Sequence, residues 1–139
     1  SLTFKPKTKN SMEYVSMKKM DTVLLVSNNI MFLPRIKNAV EPNVEVTRTT
    51  QLSELKDSLI NSNVTCVIFD LEYNQEIWEQ AIKYVRQTVD VSPRIIAYGP
   101  HEDESSMNLA KSLGCDAVTP KGVFNSRMKS IINPEESCL

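Results

Sequence analysis

The stretch Thr65-Cys66-Val67-Ile68-Phe69-Asp70 is an apolar run that ends on a carboxylate. Such a run, short and closed by a polar residue, reads as a strand covered on both faces, as in a parallel sheet. An aspartate at its carboxyl end stands where open α/β sheets form their sites. Two later runs repeat the pattern. Arg94-Ile95-Ile96-Ala97-Tyr98 leads into Gly99-Pro100-His101, and Asp116-Ala117-Val118-Thr119-Pro120 leads into Lys121.

Upstream, Thr22-Val23-Leu24-Leu25-Val26-Ser27 is another buried-strand run, and Val44-Glu45-Val46-Thr47 is a shorter, edge-like one. Helical spacing fills the intervals. Leu33, Ile36 and Val40 mark a first helix, with Pro34 in its first turn and Pro42 ending it. Thr50 is placed to cap a second helix that carries Leu52, Leu55 and Leu59. Ile77, Ala81, Tyr84, Val85 and Thr88 mark a third; Met107, Ala110 and Leu113 mark a fourth, closed by Gly114 at a left-handed C-cap. Phe124, Met128, Ile131 and Ile132 mark a final helix. Strands that alternate with helices need crossover connections, so the expected fold is α/β, a flavodoxin-like (βα)5 doubly wound parallel sheet in the order 2-1-3-4-5.

The chain has 139 residues, enough for one core, and a net charge of −1. Residues 1–20 read as a basic N-terminal arm, partly disordered, carrying Lys5, Lys7, Lys9, Lys18 and Lys19 against Glu13. The start, Ser1-Leu2, lacks a methionine and reads as a cloning remnant. Residues 21–133 form the domain, and 134–139 a frayed tail. The balanced charge speaks against direct nucleic-acid binding. No apolar stretch reaches the roughly 18 residues of a membrane span. Cys66, Cys115 and Cys138 are widely spaced, without a CxxC pair, which fits packed, reduced thiols in a cytoplasmic protein rather than a bridge or a metal site.

With Asp70, Lys121 and the Leu113-Gly114-Cys115-Asp116-Ala117 segment in place, the chain resembles the receiver domain of two-component response regulators over roughly Asp21–Ile132. The resemblance puts Asp70 at the phospho-acceptor position and Lys121 at the lysine position. It puts Ser27 and Asn28 where the family carries an acidic pair, and Gly99 where it carries Thr or Ser. Gly122 stands where proline usually follows the lysine. The resemblance therefore implies a degenerate pseudo-receiver.

In the family the acidic pair and the acceptor hold Mg²⁺, which asks for near-octahedral hard oxygens. Here one carboxylate and two neutral side chains remain, a weak magnesium site, so no cofactor is expected. The expected function is a non-enzymatic signalling and protein-interaction module, with a protein partner or a second copy on the last two helices and strand 5. Two alternatives stand beside it: an atypical receiver phosphorylated on Asp70, and a small-molecule or metal-binding enzyme on the same sheet, for which no motif speaks.

Asp70 and Lys121 could simply form an ion pair, with about 4 kcal/mol of attraction at 4 Å and an effective dielectric near 20, before desolvation. Glu72, two residues from Asp70 on an extended chain, could face the same way and rebuild a cation site. His101, the sole histidine, either lines the pocket or is a polar surface group. Trp78 and Tyr98 read as packing residues, Tyr98 with a partner contact as its other reading.

Overall fold

Each apolar run forms a strand. A computed structural model describes residues 19–88 and 92–134. In it β1 (Asp21–Val26), β2 (Glu45–Thr49), β3 (Asn63–Asp70), β4 (Arg94–Gly99) and β5 (Ala117–Pro120) make one parallel sheet in the order 2-1-3-4-5. The crossovers are α1 (Leu33–Ala39), α2 (Leu52–Asn61), α3 (Gln75–Gln87) and α4 (Glu104–Ser112), followed by α5 (Lys121–Ser126) and α6 (Met128–Ile132). The arm lies outside the described residues apart from Lys19 and Met20, as does the tail apart from Pro134 and as does Cys138.

The sheet divides the core into two layers. Leu24, Val26, Val67, Phe69, Ile95 and Ala97 pack under α2, α3 and α4 with Leu55, Trp78 and Ile82. Val23, Leu25, Cys66, Ile68, Ile96 and Tyr98 pack under α1, α5 and α6 with Ile36, Phe124 and Met128. Burial on both faces explains why these strands lack polar alternation.

One irregularity decides where the site faces. The β1–β3 register runs Thr22↔Val64 and then Val23↔Cys66, so Thr65 is an extra residue on β3. Side chains alternate along a strand, and one added residue reverses every later one. Val64 accordingly joins the first layer, whereas Cys66 and Ile68 join the second. Without the bulge, the alternation begun at Val64 would send Asp70 to the opposite face.

Helix boundaries follow local chemistry. Pro34 occupies the first turn of α1, where no N–H is needed, but α1 ends at Ala39, before Pro42. Thr50 is not the cap of α2. Gln51 is, in a capping box with Glu54, whose Oε1 also accepts from the Thr50 amide at 2.8 Å. Gly114 has φ +105° and closes α4 with two bonds, Cys115 N–H to the Ala110 carbonyl and Gly114 N–H to the Lys111 carbonyl. The single final helix expected from the apolar spacing is broken at Arg127 (φ −123°, ψ 28°) into α5 and α6.

Candidate functional site

Strand ends and loops converge at the carboxyl edge of the sheet. Asp70, the last residue of β3, is 4% exposed, and Ser27, just past β1, is fully buried. The Ser27 hydroxyl donates to Asp70 Oδ2 at 2.7 Å, and the Glu72 amide donates to Oδ1 at 2.9 Å. Ser27 Oγ in turn accepts from the Asn29 amide at 2.9 Å. Ser27 is held by its own amide on the Thr49 carbonyl, and its carbonyl accepts from Arg48 Nη1 at 3.2 Å. Each Asp70 oxygen thus has a donor inside the protein, which is what a buried carboxylate requires. Asn28 is exposed beside them.

Lys121 does not pair with Asp70. Its Nζ lies 2.8 Å from Glu72 Oε1, in a half-exposed ion pair. Asp70 is capped by Ser27 and a backbone amide, whereas the Glu72 carboxylate projects from the following turn and reaches the lysine. The carboxylate proposed to rebuild a cation site with Asp70 is therefore the partner of Lys121. Among the described residues no three His, Cys, Asp or Glu side chains gather in a group that could hold a metal ion. His101 is directed to solvent, 84% exposed, with Nδ1 3.2 Å from Glu102 Oε1.

Gly99 and Tyr98 divide the end of β4 between the two layers. Tyr98 pairs in register with Asp70, so both side chains leave the same face. Gly99 faces the other way: a Cβ added there would stand 3.3 Å from Leu71 Cβ. A phenol, not an empty position, therefore neighbours Asp70. Burial raises the Tyr98 pKa, the Asp70 carboxylate raises it further, and the Ser27 hydroxyl acts in the opposite sense. The ring stacks on Phe124 at 4.8 Å between centroids and meets Phe32 edge-on at 5.2 Å. Phe32 in turn meets Phe124 at 5.6 Å, so three rings from the β1–α1 loop, β4 and α5 pack together in one core layer. Sequence reasoning placed Tyr98 in the packing and missed its hydroxyl. The signal was its position opposite Asp70, two residues after Ile96 on a buried strand.

No family model and no curated protein matches the chain. Solved structures do. A response regulator from Thermotoga maritima superposes with a TM-score of 0.68 at 16% identity, covering 85% of this chain and 98% of that one. This is the fold of a response-regulator receiver domain. The receiver domain of TorR, the response regulator of the TMAO respiratory system, superposes at 0.66 with 14% identity, over 85% of this chain and 95% of its own. The Saccharomyces cerevisiae Ssk1 receiver domain, crystallised with the phosphotransfer protein Ypd1, gives 0.63 at 14%, over 83% and 88%. Within the receiver fold, Asp70 ends β3 and Lys121 directly follows β5. Among the described residues no helix is long and apolar enough to cross a membrane.

Proposed function

We propose that the chain is a pseudo-receiver: a non-enzymatic signalling and protein-interaction module of the two-component type that works without the Mg²⁺-dependent phosphorylation of its relatives in fold. The observation that carries this reading is the state of Asp70. Among the described residues it is the sole buried carboxylate, and both its oxygens are engaged, by Ser27 and by the Glu72 amide. Beside it stand a hydroxyl and an exposed amide, where a magnesium site needs further hard, charged oxygens. Glu72 is neutralised by Lys121. These residues do not fit Mg²⁺.

Phosphoryl transfer rests on positioning and on neutralising the charge that spreads over the phosphoryl oxygens. Lys121 is the cation nearest that role, and it is committed to Glu72. Signalling by such a module runs through contacts made by its surface, with α4, β5 and the α5–α6 segment as the face for a partner or a second copy and the cytoplasm as its compartment. Calorimetric titration with MgCl₂ tests the reading. It predicts no binding heat at millimolar ion for the native chain and a measurable site once Ser27 and Asn28 are both replaced by Asp. Binding by the native chain would favour the atypical receiver phosphorylated on Asp70.

A further inference from the structure

The amino ends of β4 and β5 gather polar groups that the carboxyl edge of the sheet does not use. Arg94 opens β4, and Tyr98, the register partner of Asp70, lies four residues on, roughly 13 Å along the strand. At this far end, between the last turn of α3 and the end of α6, lies a cleft of about 410 Å³. Arg86, Pro93, Arg94, Asp116, Ile132 and Asn133 line it. A cleft of that size suits a small molecule.

Its polar groups are held in place by the protein itself. Arg86 Nε donates to the Gly114 carbonyl at 2.7 Å, and Arg86 Nη2 lies 2.9 Å from Asp116 Oδ2. The same Oδ2 accepts from the Ile95 amide at 2.8 Å. Asp116 Oδ1 has no hydrogen-bond partner among the described residues. Arg94 Nε donates to the Ile131 carbonyl at 2.9 Å, which orients the guanidinium plane. Among the described residues its two Nη groups have no acceptor and its charge has no ion-pair partner. Asn133 Nδ2 donates to the Ala39 carbonyl at 3.3 Å, so its amide oxygen is the group left over.

Counting charges and hydrogen bonds selects the ligand. Arg86 and Asp116 cancel, and Arg94 leaves one positive charge. A guanidinium fork matches a carboxylate with two parallel bonds. The unspent oxygens of Asp116 and Asn133 call for O–H or N–H donors. We propose that this cleft binds a small hydroxycarboxylic acid of sugar-acid size, with its carboxylate on Arg94 and its hydroxyls on Asp116 and Asn133. One carboxylate neutralises the site. A phosphate dianion would set a second negative charge near Asp116, and an α-amino acid would add an ammonium to a site already positive. The inference goes beyond the pseudo-receiver reading and makes no use of Asp70.

The test is a titration of the ¹⁵N-labelled full chain with gluconate, glucose, L-alanine and inorganic phosphate. Gluconate is predicted to shift the amides of Arg94, Ile95, Asp116 and Asn133 with a Kd of about 1 mM or tighter, and the other three to bind more weakly or not at all. Arg94→Lys keeps the charge and removes the fork, and should weaken gluconate binding roughly tenfold or more. Should that variant disturb folding, gluconate and not glucose must still raise the melting temperature of the native chain, since a ligand held only by the folded state stabilises it. No shift with gluconate, equal binding of glucose, tighter binding of phosphate or alanine, or shifts confined to another part of the sheet would each overturn the proposal. Binding that appears only in the Glu135→Gln, Glu136→Gln chain would make the chain's own carboxylates the occupant, and would overturn it too. None of these results touches the pseudo-receiver reading, which is decided by phosphorylation and magnesium binding at Asp70.

Discussion

Ser27 and Asp70 are joined across 43 residues of sequence by one buried hydrogen bond, the serine hydroxyl on Asp70 Oδ2 at 2.7 Å. The serine comes from the mouth of β1 and the aspartate from the end of β3, so the bond locks the two central strands together where a site would open. Removing the hydroxyl leaves a buried carboxylate oxygen without its donor. Ser27→Ala is predicted to cost about 2 kcal/mol, read as a lowered urea midpoint at unchanged slope. A loss below about 0.5 kcal/mol would show that the bond contributes nothing net.

The Lys121–Glu72 pair is half exposed, with side chains 31% and 45% accessible. Exposed pairs couple weakly and are screened by salt. A double-mutant cycle on Lys121→Met and Glu72→Gln should give a coupling of about 0.2–1 kcal/mol that shrinks in high salt. The same cycle on Lys121 and Asp70→Asn should give a smaller value. A larger Lys121–Asp70 coupling would contradict the observed pairing.

Gly99→Thr tests the division of labour at the end of β4. The new side chain would press on Leu71, 3.3 Å from its Cβ, on the face away from Asp70. The expected result is overpacking, with a loss of about 1–3 kcal/mol, largely relieved by Leu71→Ala in the same chain. Of the two residues that end β4, Tyr98 and not Gly99 shares the face of Asp70, so Tyr98→Phe, and not Gly99→Thr, should move the Asp70 side-chain carbon resonance. A shift on Gly99→Thr without change at Tyr98→Phe would contradict the assignment.

Burial pushes the thiols of Cys66 and Cys115 up to about 12. The folded chain holds both as neutral thiols, and the unfolded chain releases their protons near pH 9. The unfolded state therefore binds fewer protons above that pH, and stability must fall as pH rises from about 9 to about 12. Each thiol contributes a slope of up to about 1.4 kcal/mol per pH unit. Urea unfolding measured at intervals from pH 8 upward checks this, and Cys66→Ala should flatten the decline. A flat profile would contradict the buried thiols.

The sheet was legible because parallel strands buried on both faces must be written as continuous apolar runs. Thr22–Ser27, Thr65–Asp70 and Arg94–Tyr98 could be nothing else at that length. Gly114 was legible because a positive φ after a helix has few other solutions. The site was legible only in outline. Which face Asp70 takes depends on the extra residue at Thr65, and a bulge carries no composition signal in a run of β-branched residues. The partner of Lys121 was not legible, because it depends on which carboxylate is already covered. The break at Arg127 was hidden by apolar spacing that runs on through it.

The central claim is that Asp70 is a silent acceptor, and incubation of the full chain with a small phosphodonor and MgCl₂ followed by intact mass measurement tests it most directly. The account predicts that the native mass is unchanged, while the chain with Asp at positions 27 and 28 gains one phosphoryl group. A native chain that gains that group, and fails to gain it as Asp70→Asn, would contradict the account.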